Sequence, residues 1–391
     1  MRRITAMTPT SSSRRRRSPL LFVLLAAVTT ALSLGLVELA LRLLWTPPPP
    51  LGRLSYATQD GTPVADLGDA ARLGFVTPVP PDQTPRPRFM FAADKQFFLC
   101  YADAERLGAD WLDAQGRVPV RINAYNLRER AEIKPEKPPG ERRIVCIGDS
   151  FTFCWGVPEE RGWVRMLEDR LRKDGQNLRT VNCGAAGAIC VDEYEWGLRH
   201  RFGKFAPDVV LVTICLNDLI PSSGLFVQGP SPKTGLRSLD LLLGALGRDP
   251  LDLDPKVDWV GLLYDLPQDG AGQLYGPDKP YDAMWARGTP QRALLAMQAW
   301  CKEHNCKLGI VLWPFLQGLG PGRAYPFSTL HADVSKFCSE NHLDFLDVLP
   351  ALAQTPAEAL WVTPADMHAN PTAQMLALER IEPFVRRLLT P

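Results

Sequence analysis

At 391 residues the chain is long enough for one large domain with appendages, and a formal net charge of +1 gives no reason to expect a nucleic acid as partner. Hydrophobic residues make up 46% of it, as in an ordinary globular protein, but they are unevenly spread.

Six arginines, Arg2, Arg3 and Arg14 to Arg17, precede an almost unbroken apolar run from Pro19 to Val37. Glu38 and Arg42 follow, four apart and able to pair on one helix face, and then Leu43-Leu44-Trp45 and four prolines. A bilayer core takes about 20 apolar residues as helix. Residues 19–45 are therefore expected to form a single transmembrane anchor in the cytoplasmic membrane. Residues 1–18 would be its basic cytoplasmic tail, with everything after Trp45 extracytoplasmic. A cleaved signal peptide, even a twin-arginine one, is the rival reading. No clean Ala-x-Ala site follows the run and the helix-forming pattern continues to Trp45, which favours the uncleaved anchor.

Residues 46–140 are rich in proline and arginine and read as a linker and a small, strand-containing lead-in that ends near INAYNLRER, 122–130. From 141 to 391 the pattern changes to alternating strands and helices. RRIVCIGDS (142–150) is a strand, and WVRMLEDRLRKDG (163–175) has helical spacing and a glycine stop. Strand LRTVNCG (178–184), helix 191–205 and strand PDVVLVTICLND (207–218) follow; the last has a continuous apolar core, as expected when both faces are covered. An insertion, 219–289, then breaks the rhythm around a short helix-like LRSLDLLLGALG. Its aromatics Trp259, Tyr264, Tyr275, Tyr281 and Trp285 read as a small core of its own or as the lining of a substrate site. Helix 290–304, strand 306–314, helix 327–341, strand 343–349 and helix 371–389 complete the chain. Such alternation predicts an α/β fold in three layers, a parallel sheet of about five strands covered on both faces.

Nine cysteines leave at least one thiol unpaired within the chain. Cys146 and Cys215 lie in strand patterns and read as core residues. Cys301 and Cys306 flank His304, but no second such pair completes a metal site, and the structural reading is preferred. An oxidising exterior would permit a disulfide, whose partners the sequence does not specify.

Ligands of open α/β sheets bind at the carboxyl ends of the strands. The first strand ends at Gly148-Asp149-Ser150, the second runs into NCGAAGA (182–188), and the third ends at Asn217-Asp218. Past the last strand lies ADMHANP, with Asp366 and His368. Among five histidines, His200, His304, His331 and His342 fall in or at the ends of helical patterns, where solvated or capping roles are the default. His368 alone lies in a loop, just before a helix with Asn370 as natural N-cap and Pro371 as first residue. Asp149 reads as a loop-fixing residue.

From about 142 to 388 the chain resembles the SGNH hydrolases, the GDSL family of esterases and lipases. The four marks of that family stand in order: Ser150 in GDS, Gly187 in NCGAAG, Asn217 in LND, and His368. The lead ERRIVCIGDSFTFCWGVPEERGWVRMLEDRL and the basic tail with its apolar helix resemble membrane-anchored bacterial members. Two departures stand out. Cys215 replaces the usual glycine of Gly-x-Asn-Asp, and Asp366 is two residues before His368 where the family commonly shows Asp-x-x-His.

The resemblance implies a flavodoxin-like α/β/α sandwich and acyl transfer through a covalent intermediate. Ser150 would be the nucleophile, His368 its base and Asp366 the orienting acid; the N–H groups of Ser150 and Gly187 and the Asn217 amide would form the oxyanion hole. Asp347 is the next carboxylate if Asp366 does not serve. No metal or organic cofactor is required. The implied substrate is an acyl ester or an acetylated glycan. Two alternatives remain open: an O-acetyltransferase or deacetylase acting on cell-envelope polysaccharide, and a catalytically inert carbohydrate-binding or assembly protein.

Overall fold

The computed structural model describes residues 19–44, 51–64, 67–84, 89–186, 189–219, 236–245, 285 and 288–390. Residues 1–18, and Trp259, Tyr264, Tyr275 and Tyr281 of the insertion, lie outside the described residues. The chain falls into two compact units, residues 1–48 with 232–252, and residues 49–231 with 253–391.

In the first unit, Pro19–Leu44 is one helix. Within its residues 20–44 the most apolar 18-residue stretch has a mean hydropathy of 2.5, and the helix is long and apolar enough to cross a bilayer. The expected Glu38–Arg42 pair forms at 2.7 Å. Glu38 also accepts the N–H groups of Arg237 (3.0 Å) and Ser238 (2.9 Å), two donors that open the helix Arg237–Ala245 and have no partner within it.

The second unit begins with strands β1 (Leu54–Thr58), β2 (Pro63–Val64), β3 (Val76–Pro78), β4 (Phe89–Phe91), β5 (Lys95–Tyr101) and β6 (Arg117–Ile122). Four of them form an antiparallel sheet ordered β2-β1-β5-β6, and β3 pairs with β4. β6 alternates buried Val118, Val120 and Ile122 with more accessible neighbours, as a sheet with one covered face requires.

The chain then enters the large parallel sheet through β7 (Arg142–Gly148), β8 (Leu178–Gly184), β9 (Val209–Cys215), β10 (Lys307–Trp313) and β11 (Asp344–Asp347). Every pair in it is parallel, and the order is β11-β10-β9-β7-β8. Counted from β7 this is the flavodoxin-like order, whose direction reverses between β7 and β9. All seven residues of β9 are buried, which explains why its sequence is continuously apolar instead of alternating. Helix Trp163–Lys173 packs with Pro371–Leu389, and helix Val191–Gly197 packs with Thr289–Glu303. The chain folds as the α/β class expected, with about five strands.

The end of the lead-in is deeply buried. Arg128 is 1% exposed and donates to the carbonyls of Phe153 (2.9 Å), Cys154 (2.5 Å) and Val157 (2.6 Å). Glu129 accepts from Arg165 (2.5 Å) and from the Asn182 N–H (2.6 Å). These two side chains join the lead-in to the turn after β7 and to β8.

Candidate active site

β7 ends at Gly148, where neighbouring atoms leave no room for a side chain. A Cβ at that position would lie 2.1 Å from Thr152 Oγ1 and 2.7 Å from the Thr213 carbonyl. Asp149 follows, wholly buried, and its Oδ1 accepts the Phe151 N–H at 2.9 Å, capping the short helix Ser150–Phe153. That is the loop-fixing role expected of it. Burial pushes the Asp149 carboxyl up to about 6, against the opposing pull of the Phe151 N–H, the His368 charge, Ser150 and Asn217.

Ser150 is 7% exposed at the start of this helix. Its Oγ lies 2.9 Å from His368 Nε2 and 3.3 Å from Asp149 Oδ2. On the far side of the imidazole, Nδ1 is 2.6 Å from Asp366 Oδ1, which also accepts the His368 main-chain N–H at 3.3 Å. With Nδ1–H donated to the carboxylate, Nε2 carries the lone pair that faces the serine hydroxyl.

His368 does not lie in a loop as expected. It belongs to β13 (Asp366–Ala369), the second strand of a hairpin with β12 (Trp361–Thr363). This corrects the local reading and explains the unusual spacing: residues two apart in a strand share a face, so Asp-x-His presents both side chains to the same side. Asn370 caps the next helix as expected, its Oδ1 accepting the Ala373 N–H at 3.0 Å, with Pro371 as first helical residue.

Burial opposes a charge on His368, but the Asp366 charge, the hydrogen bond to it and the Asp149 charge outweigh that and raise the imidazole above its ordinary value. Burial alone would raise Asp366; the charge and hydrogen bonds of His368, with a hydrogen bond from Tyr101, hold it below the ordinary carboxylate range.

Asn217 lies in the turn Leu216–Leu219 just past β9, with its Oδ1 buried and unpartnered among the described residues. Cys215, at the departure from the family pattern, is fully buried and packs within β9. Gly187 lies outside the described residues. The loop leading to it is drawn against the end of β7 by the Ala185 N–H, which donates to the Gly148 carbonyl at 2.9 Å.

Other histidines stand elsewhere. His331 is 3% exposed, not solvated, with Nδ1 2.9 Å from Asp347 Oδ2. Asp347 is thereby engaged by a different imidazole from the one beside Ser150. His304 closes helix Thr289–Glu303 and stacks on Trp300, and the cysteines flanking it are free thiols. Sequence reasoning did not find Tyr101, whose hydroxyl donates to Asp366 Oδ2 at 2.9 Å. No short-range signal marks it, because it stands 265 residues from its partner.

The GDSL-like Lipase/Acylhydrolase family matches residues 146–376 of the 391. The chain belongs to that family and is an ester-hydrolysing enzyme of the SGNH type. Among solved structures it is similar to a putative lipolytic protein of the G-D-S-L family from Desulfitobacterium hafniense, with TM-score 0.37 and 15% identity over 62% of this chain and 98% of that one. A catalytic mutant of an acetylxylan esterase from Geobacillus stearothermophilus gives TM-score 0.40 and 15% identity, covering 62% and 94% of the two chains. For a psychrotrophic esterase from Pseudoalteromonas sp., inhibited by monoethylphosphonate, the values are 0.38 and 13%, over 63% and 98%. A comparison with curated proteins gives no match.

Proposed function

We propose that the enzyme cleaves acyl esters through a serine-bound acyl intermediate and does so outside the cytoplasmic membrane, tethered by the helix Pro19–Leu44. The observation that carries the chemistry is the continuous relay from Ser150 Oγ to His368 Nε2 (2.9 Å) and from Nδ1 to Asp366 Oδ1 (2.6 Å). His368 takes the hydroxyl proton as Ser150 attacks the ester carbonyl, then returns it to the departing alcohol; water repeats the sequence to release the acid. Asp366 holds the tautomer and stabilises the imidazolium.

We assign the N–H of Ser150, the first residue of the Ser150–Phe153 helix, as one donor to the negative oxygen. The family resemblance assigns the Asn217 amide and the Gly187 N–H as the remaining donors, each worth about 3 kcal/mol at the transition state. The location rests on the charge asymmetry around the apolar helix, six arginines on its amino side, which keeps that side in the cytoplasm.

Ser150→Ala removes the nucleophile and almost no volume. Ester hydrolysis should fall to a trace while the folded state persists, checked by turnover and circular dichroism on the same sample. Substantial turnover by a well-folded variant would sink the assignment.

A further inference from the structure

Asp366 has a second partner, supplied by the antiparallel sheet and not by the family's marks. Tyr101 ends β5, is 4% exposed, and donates its hydroxyl to Oδ2 at 2.9 Å. His368 uses Oδ1 alone, through Nδ1 at 2.6 Å and its main-chain N–H at 3.3 Å. The two carboxylate oxygens are thus divided between a fixed phenol and the imidazole.

The phenol is itself held in place. Its main-chain N–H donates to the Gly116 carbonyl at 2.9 Å. Opposite the hydroxyl stands Gly156, at φ +80°, where a Cβ would come within 2.8 Å of Tyr101 Oη. The loop that follows the Ser150 helix therefore closes directly over this hydroxyl with no side chain between. Burial, reinforced by the neighbouring Asp366 charge, keeps the phenol protonated well beyond its ordinary range, so it remains a donor at every working pH.

We propose that Tyr101 is a positioning residue of the hydrolytic reaction: its hydroxyl fixes the Asp366 carboxylate on Oδ2, so that Oδ1 stays aimed at His368 Nδ1. This rests on Asp366 being the orienting acid. Two consequences follow from the geometry. Without the hydroxyl the carboxylate is free to rotate, and the imidazole spends less time aligned with Ser150. The same loss leaves more negative charge on Asp366, which makes His368 more basic. Because only neutral His368 accepts a proton, the acid limb of the pH–rate profile then moves to higher pH. Asp366→Asn removes the charge altogether and must move that limb the opposite way.

The test uses the full chain in detergent micelles and a soluble p-nitrophenyl ester. The pH dependence of kcat and KM is measured for the parent, Tyr101→Phe, Asp366→Asn, the double variant and Ser150→Ala. Tyr101→Phe should lower kcat about tenfold at unchanged KM and shift the acid limb upward, with no further loss when added to Asp366→Asn. A normal rate with an unmoved limb overturns the proposal, and so does an equal loss in the Asp366→Asn background. Inactive Ser150→Ala beside normal Tyr101→Phe would overturn this inference alone, whereas active Ser150→Ala would remove the acid's assignment as well. If little folded Tyr101→Phe is recovered, site-specific fluorotyrosine at position 101 keeps the shape and makes the hydroxyl a stronger donor. The acid limb should then move to lower pH, and an unmoved limb counts against the role.

Discussion

Changing Asp366 to asparagine keeps the shape of the side chain and removes the charge that sits 2.6 Å from His368 Nδ1. In a triad protease the corresponding change costs about 10⁴ in rate, and a loss of that order is expected here. The sign of the pH effect follows from what raises the imidazole. Burial works against its charge, and the Asp366 charge is the main force that overcomes it. Asp366→Asn should therefore let His368 lose its proton at lower pH, moving the acid limb of kcat/KM downward, as a pH profile with a soluble ester would show. Near-normal activity with an unmoved limb would exclude Asp366 as the acid.

The juxtaposition of Ser150 with His368 draws on local signals, because Ser150 follows a strand and His368 precedes a capped helix. The Asp-x-His spacing stands out as a departure from the family's common Asp-x-x-His, and the sequence alone offers no physical reason for it. Only the extended backbone of β13 supplies one. Tyr101 was invisible, since nothing local in KQFFLCY distinguishes a core tyrosine from one that reaches a carboxylate.

At the scale of elements, the parallel sheet is readable from the alternation of strands and helices, β9 most clearly from its continuous apolar run, and helix Pro371–Leu389 from its cap. Residues 191–205 are helical throughout, as their pattern predicts, but the helix changes its winding along the way. The α-helix ends at Gly197, and a wider turn, Leu198–Phe202, leads into a tight one, Gly203–Phe205. A Cβ at Gly203 would strike Trp300 at 2.7 Å, a constraint from another helix that periodicity does not contain.

The lead-in was harder still. Nothing local in INAYNLRER distinguishes Arg128 from a surface arginine, yet it satisfies three buried carbonyls of the segment after Ser150. Arg128→Met fills much of the space but leaves those acceptors without their donor. We expect a loss of about 3 kcal/mol in stability, seen as a lower denaturant midpoint at unchanged slope, with reduced activity below the midpoint. An unchanged midpoint would mean that water or backbone takes over all three bonds.

For the molecule as a whole, the apolar helix and the hydrolase domain are separate physical problems joined in one chain. The domain's core is complete in its own terms, with β9 buried along its full length. Most apolar side chains of the helix from Leu20 to Leu44 are exposed, which suits a bilayer and not a protein interior. Their combination makes the proposal one of an esterase held at a membrane face, and the covalent role of Ser150 is the claim on which the rest depends. The most direct test is to treat the full chain with a fluorophosphonate and map the adduct by peptide mass. The modified residue should be Ser150, with labelling lost in Ser150→Ala and slowed in His368→Ala, and an impermeant form of the probe should reach it in intact cells. An enzyme that hydrolyses esters while Ser150 stays unmodified, or that is modified at another residue with loss of activity, would contradict the assignment.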